Sequence, residues 1–158
     1  IGPKARNLDK DLNYGDGSKN QLAYLLQKGV IDSIPTNFQT ISDWEDESQS
    51  LEDRSRAYLA INCGHCHTPS GVANSTGLYL DFNEVRPLHL GINKSPVATG
   101  RGSGNLNYSI VPGKAHESIL LFRMISTDPG VMMPESGRSL VHVEASNLIK
   151  EWINSMDN

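Results

Sequence analysis

The stretch Leu51–His67, LEDRSRAYLAINCGHCH, decides how this chain reads. Leu51, Tyr58 and Ile61 recur near one face, with the small Ala57 and Ala60 beside them, so the spacing predicts a helix over 51–62. That helix runs directly into Cys63-Gly64-His65-Cys66-His67. Asp43, Glu45, Asp46, Glu47, Glu52 and Asp53 lead into and open it, where carboxylates favour the N-terminal end of the helix dipole. The same acidic run is a candidate docking patch for a basic partner.

Outward from this stretch, the composition narrows the classes. At 158 residues the chain is long enough for one domain with a real core. Its formal net charge is −4 and it has no basic block, which argues against nucleic acid as a partner. The longest purely apolar run, Ile119–Phe122, is far too short to span a bilayer. Two Trp, five Tyr and three Phe are few for this length, so something besides aromatic side chains is expected to fill the core. The start at Ile1, without an initiator Met, reads as a processed chain or an excised module of a larger protein.

The remaining elements are mostly helical, and the expected class is mainly α. Residues 1–17 read as an arm, and 18–28 as a helix with Ser18 as N-cap and Gly29 just past its end. Residues 32–50 read as a polar linker. Residues 68–113 are rich in Gly, Ser, Asn and Pro, with strand-like pieces at 77–82 and 108–111. So long an irregular region in a compact domain is expected to be functional or to wrap something. A helix follows over 115–125, apolar around most of its circumference. After the loop TDPGVMMPESG comes a helix over 143–156, in which Ala145, Leu148, Ile149, Trp152, Ile153 and Met156 keep helical spacing.

Cys63-Gly64-His65-Cys66-His67 is C-x-x-C-H, the attachment signature of c-type haem. Two thiols one helical turn apart can each add to one vinyl group on the edge of a porphyrin. The histidine that follows is then held under the ring, where it can ligate iron. Other chemistries fit less well. A redox-active C-x-x-C opens a helix after a strand, whereas this pair follows a helix. A structural zinc site needs four ligands, and His89, His116 and His142 are scattered and unpaired. The expected metal ligand is His67, with Cys63 and Cys66 binding the cofactor.

The sixth iron position decides between electron transfer and ligand binding. Met124 and Met156 lie in apolar helical stripes and read as core. Met132 and Met133 lie in the loop before the last helix, and Pro134 biases Met133 to an extended backbone. Met133 is therefore favoured, with Met132 in reserve and His89 or His142 as further options. Arg101 and Tyr108 are candidate donors to the haem propionates.

The order of helix, C-x-x-C-H, long loop, Met-Pro and amphipathic C-terminal helix resembles the class I monohaem c-type cytochromes. The segments RAYLAINCGHCHTPSG, GLYLDF, SIVPGKAHESILLFRM and MMPESGRSLVHVEASNLIKEWI are similar to cytochrome modules of multidomain secreted bacterial proteins, some fused to carbohydrate-binding modules. The resemblance implies a class I cytochrome c-like helical fold around one covalent haem c. Residues 1–158 would form a single cytochrome c domain, with 1–50 as an N-terminal extension and 51–156 as the haem-binding core. It implies that the helix before Cys63 crosses the last helix near Trp152, and that iron is ligated by His67 and Met133. It further implies a periplasmic or secreted, monomeric, non-enzymatic module of a larger protein. Such a module passes single electrons between redox partner proteins, such as lytic polysaccharide monooxygenases. The alternative is a haem peroxidase or gas-binding sensor with a labile sixth ligand. The stretch between His67 and Met133 is long for a minimal cytochrome, with an insertion around 83–107.

Overall fold

Helix α3 spans Leu51–Asn62, and its start is written in its first four residues. The Ser50 hydroxyl accepts from the Asp53 main-chain N–H as an N-cap and itself donates to the Asp53 carboxylate. Helix α6, Val143–Ser155, buries Ala145, Leu148, Ile149, Trp152 and Ile153, the stripe its periodicity predicts. Met156, one residue past its end, packs against the same core. The two helices pack on one another, and the Trp152 indole N–H donates to the Glu52 carboxylate across the contact. Leu59, fully buried on α3, sits in this core with Tyr58, Ile149 and Ile153.

The computed structural model describes residues 4–97 and 99–157. Residues 1–3 of the expected arm and Ala98 within the long loop lie outside them. Helix makes up 37% of the described residues and strands very little, so the protein is mainly helical as expected. The chain divides after Ser42 into two compact units. The second therefore begins earlier than the expected boundary at 50. The reason lies in Trp44, whose carbonyl accepts from Arg54 Nε and whose ring meets Tyr58 and His142 edge-on.

In the first unit, α1 (Ala5–Leu8) precedes a two-stranded antiparallel hairpin, β1 (Asp11–Asn13) and β2 (Ser18–Asn20), and then α2 (Gln21–Gln27). The hairpin falls where arm and helix were expected. Gly15 and Gly17 supply positive φ at its tip, +90° and +127°, which other residues resist. The helix consequently starts at Gln21, with Asn20 and not Ser18 as N-cap. Its end is as expected: Gly29 has φ +67°, and Val30 and Gly29 donate back to Leu25 and Leu26 in a Schellman arrangement. Asp9 accepts from Asn20 and Thr40 and so ties the unit together.

In the second unit, the helix expected over 115–125 is broken. A single 3₁₀ turn, Ala115–Glu117, is followed by an extended Ser118 and then α5 (Ile119–Ile125). The fully buried Ser118 hydroxyl accepts from Val111 N–H and donates to the Lys114 carbonyl. Those bonds replace the helical bonds the break removes. The strand-like pieces at 77–82 and 108–111 are not strands of a sheet. Residues 108 and 110 make isolated bridges to Ser118 and Ile92 instead. A short helix α4 (Pro87–Leu90) lies between them. Buried Arg56 on α3 holds this region by donating to the carbonyls of Asp81, Phe82 and Glu84. No helix among the described residues is long and apolar enough to cross a membrane.

The α3–α6 contact should dominate stability. Trp152→Ala is expected to cost about 3–5 kcal/mol, the usual loss for deleting a buried indole. Glu52→Gln should cost only about 1 kcal/mol, because a half-exposed carboxylate is well solvated without its partner. Urea denaturation of the two variants against the parent chain measures both.

Candidate functional site

The C-terminal end of α3 delivers the C-x-x-C-H motif as a tight turn. Cys63 N–H still donates to the Leu59 carbonyl, while Cys66 and His67 N–H both return to the Cys63 carbonyl. Gly64 is required inside it, since a Cβ there would stand 2.8 Å from the Ala60 carbonyl oxygen and 2.9 Å from that of Leu80. The two cysteines are not joined in a disulfide. Burial pushes the Cys63 thiol up to about 12, with the neighbouring Cys66 adding to it. A thiol so raised is the reverse of the lowered thiol of a dithiol oxidoreductase.

His67 is held by the segment that follows. Its carbonyl accepts from Leu80 N–H, and burial lowers the basicity of its ring. The Leu78 main chain lies near enough to act in the opposite direction, yet no well-formed hydrogen bond reaches Nδ1, which is buried and unpartnered. Nδ1 of His65 is likewise buried without a partner. The charge of Arg123 on α5 lies within electrostatic reach of His67.

Arg123 is also what brings the methionine loop close. Its main-chain carbonyl accepts from Met133 N–H, and its Nε donates to the Val131 carbonyl. The Met133–Pro134 peptide is cis. Met133 and Cys63, one from each half of the second unit, line a single cleft together with Tyr58, Asn62, Met124, Arg138 and His142. The cleft has a free volume of about 20 Å³, room for about one water. It records which side chains face one another and not the space a macrocycle needs.

The other expected residues are placed differently. Met132 does not line the cleft; its N–H and that of Val131 donate to the Asp128 carbonyl. Met124 does line it, although it is also core as expected. His142 precedes α6, and its Nδ1 lies 3.2 Å from the Tyr58 hydroxyl. His89 stands edge-on to Tyr79 with Nδ1 3.3 Å from Glu84.

Arg101 does not reach the cleft. Its guanidinium makes a bidentate pair with Asp128, at 2.8 and 2.9 Å, and is 69% exposed. It packs so closely over Gly130 that a Cβ there would lie 2.2 Å from Nη2. Arg101 therefore braces the turn that leads to Met133. Tyr108 is also exposed, and it engages Ile119 through its carbonyl, away from the cleft lining.

Tyr58, Asn62, Arg138 and Ser146 line the cleft without a site role in the sequence reading, while His142, a further axial option there, lines it too. Arg138 had one signal available, as the cation nearest the Met-Pro pair on its C-terminal side. Among the described residues no group of three or more His, Cys, Asp or Glu side chains is arranged to hold a metal ion, which a tetrahedral zinc site would require. No family model, curated protein or solved structure matches the chain.

Glu84 anchors the segment beside His67. Its carboxylate accepts from Arg86 Nε and Nη2, at 2.8 and 2.6 Å, and from the main-chain N–H of Val85 and Arg86. The Arg86 bond above all lowers it to about 2. A carboxyl lowered on folding contributes stability that is complete above its unfolded value near 4.5 and is lost as pH falls towards 2. Glu84→Gln should therefore be less stable than the parent chain at pH 6, and the gap should close as pH falls from about 4.5 towards 2. Denaturation curves across that range measure it.

Proposed function

We propose that this protein is a monohaem c-type cytochrome that transfers single electrons. The observation that carries the reading is that Cys63 of C-x-x-C-H and Met133 of the Met-Pro loop line one cleft. The residues suit the group in chemistry: two free thiols, a half-buried imidazole with a buried, unpartnered nitrogen, and a thioether beside Cys63. Cys63 and Cys66 would form the thioether links, and His67 and Met133 the axial ligands. Bound haem supplies an iron that takes and gives one electron at a time. The chain's own part is to hold the ligands and keep water from them. Met124 supplies apolar lining, and the Arg123 carbonyl fixes the backbone of Met133. The mainly helical architecture, with α3 packed on α6 beside Trp152, supports the class I cytochrome c-like fold.

The partners in this reading are redox proteins, and its resemblance to secreted modules favours an extracytoplasmic oxidative enzyme such as a lytic polysaccharide monooxygenase. The test is expression with the haem-attachment machinery, followed by oxidised and reduced absorption spectra. Covalent haem with the long-wavelength iron–thioether band is the expected result. Cys63→Ala with Cys66→Ala should abolish covalent attachment, and no covalent haem in the parent chain would overturn the reading. Met133→Ala should remove the thioether band and open the reduced iron to carbon monoxide. If the band survives in Met133→Ala, Met132 is the ligand. Carbon monoxide binding by the reduced parent chain would favour the peroxidase or sensor alternative.

Charge gives a second test. The chain is acidic, and the exposed run 43–53 concentrates that charge beside Trp44. Association with a basic redox partner should be fast at low salt and fall by about tenfold or more towards 0.5 M salt. Stopped-flow reduction at varied ionic strength measures it; a rate indifferent to salt would remove the acidic run from docking.

A further inference from the structure

Among the described residues, Arg138 is the charged side chain on the cleft whose bonding is least complete. It stands on the cleft wall with Met133, Tyr58 and Cys63. Its Nη2 donates to the carbonyls of Arg123 and Ser126, at 3.1 and 2.6 Å, and its Nη1 to the Leu140 carbonyl at 3.2 Å. Its Nε is buried and has no hydrogen-bond partner. No carboxylate pairs with it among the described residues. The other arginines near this loop are better matched: Arg101 holds Asp128, and Arg123 spends its Nε on Val131 with Glu135 within electrostatic reach.

A buried N–H without a partner is costly, and the half-buried cation that carries it gains from a counter-anion. The three carbonyls satisfy the two ends of the guanidinium but supply no negative charge. They also fix the plane of the fork and leave Nε–H as its buried donor without a partner. A planar guanidinium held this way is suited to a carboxylate. We propose that Arg138, through Nε–H, binds a carboxylate of the haem, the role the sequence had pointed to at Arg101. This rests on the cytochrome reading above. The carboxylate stays ionised against the fixed cation, and the cation in turn favours the reduced, less positive iron.

Arg138 is a positioning residue, and it also ties the loop together, so the test needs readouts that a purely structural role leaves alone. Holoprotein of the parent chain, Arg138→Gln and Arg138→Lys would be compared by resonance Raman and by redox titration. In Arg138→Gln the propionate bending band should shift and the midpoint potential fall, with the iron–thioether band retained. Arg138→Lys should recover part of the potential, since the charge returns, but not the band, since the planar fork does not. An unchanged band and potential in Arg138→Gln would overturn the proposal. Should Arg138→Gln fail to fold, Arg138→Lys decides alone, because it too lacks Nε–H: a shifted band supports the proposal and an unshifted one overturns it. If Nε instead takes a free anion, the parent potential will depend on chloride or phosphate at fixed ionic strength while the band stays unmoved in both variants, which also overturns it. Absence of covalent haem in the parent chain sinks the cytochrome reading itself, an outcome visible before any variant is made.

Discussion

Everything at the candidate site depends on the packing of α3 against α6. Leu59, Ile149 and Ile153 are sealed from solvent, and Ala145 between them adds no bulk. Burial of that many methyl and methylene groups contributes several kcal/mol and, as importantly, removes freedom. The end of α3 is then a fixed point, and the turn carrying Cys63, Cys66 and His67 starts from it. The start of α6 is a second fixed point, where His142 meets Tyr58 of α3 and the Ser146 hydroxyl donates back to the His142 carbonyl. The loop carrying Met133 must end there, so its freedom is set by the helices and not by its own irregular sequence.

Between those fixed points the described residues of the second unit have only short helices and 3₁₀ turns, and no sheet, to satisfy the main chain. Arginines do much of that work. Arg56 gathers three carbonyls of residues 81–84, and Arg138 gathers three more from 123, 126 and 140. A guanidinium has five donors in a fixed fork, so one side chain can close several turns at once. The device explains how a long Gly- and Ser-rich region can be ordered without strands. It also explains why Arg56, a cation, is buried in an acidic chain.

The parts of this arrangement that could be read in the sequence are those with a short-range cause. The stripe of α6, the extent of α3 and the Gly29 stop follow from helical spacing and from one glycine's φ, and they stand where expected. The break at Ser118 was not legible, because an apolar run reads as continuous helix until one knows that the hydroxyl is fully buried and bonded to Val111 and Lys114. The hairpin at 11–20 was hidden for the opposite reason: its strands are short and polar, and only the Gly15 and Gly17 turn marks them. At the candidate site, the motif and the Met-Pro loop stand out in the sequence, and the structure places Cys63 and Met133 on one cleft. Arg101 was misplaced because sequence shows a donor but not its partner, and Asp128, far along the chain, had already taken it.

The charges fall into two sets that act over different ranges. The acidic run before and within the start of α3 is exposed, so salt screens it within about 10 Å and its influence is on encounter. The guanidinium of Arg138 has a buried Nε and lines the cleft beside Met133, where mobile ions screen little. Its field therefore acts on whatever occupies the cleft at any ionic strength. In the proposed cytochrome the negative exterior would draw in a positive partner, while the guanidinium on the cleft would favour the state that carries one more electron. In an electron carrier the first sets how often partners meet and the second how readily the electron is held. Because one is screened and the other is not, either can be altered by substitution without altering the other.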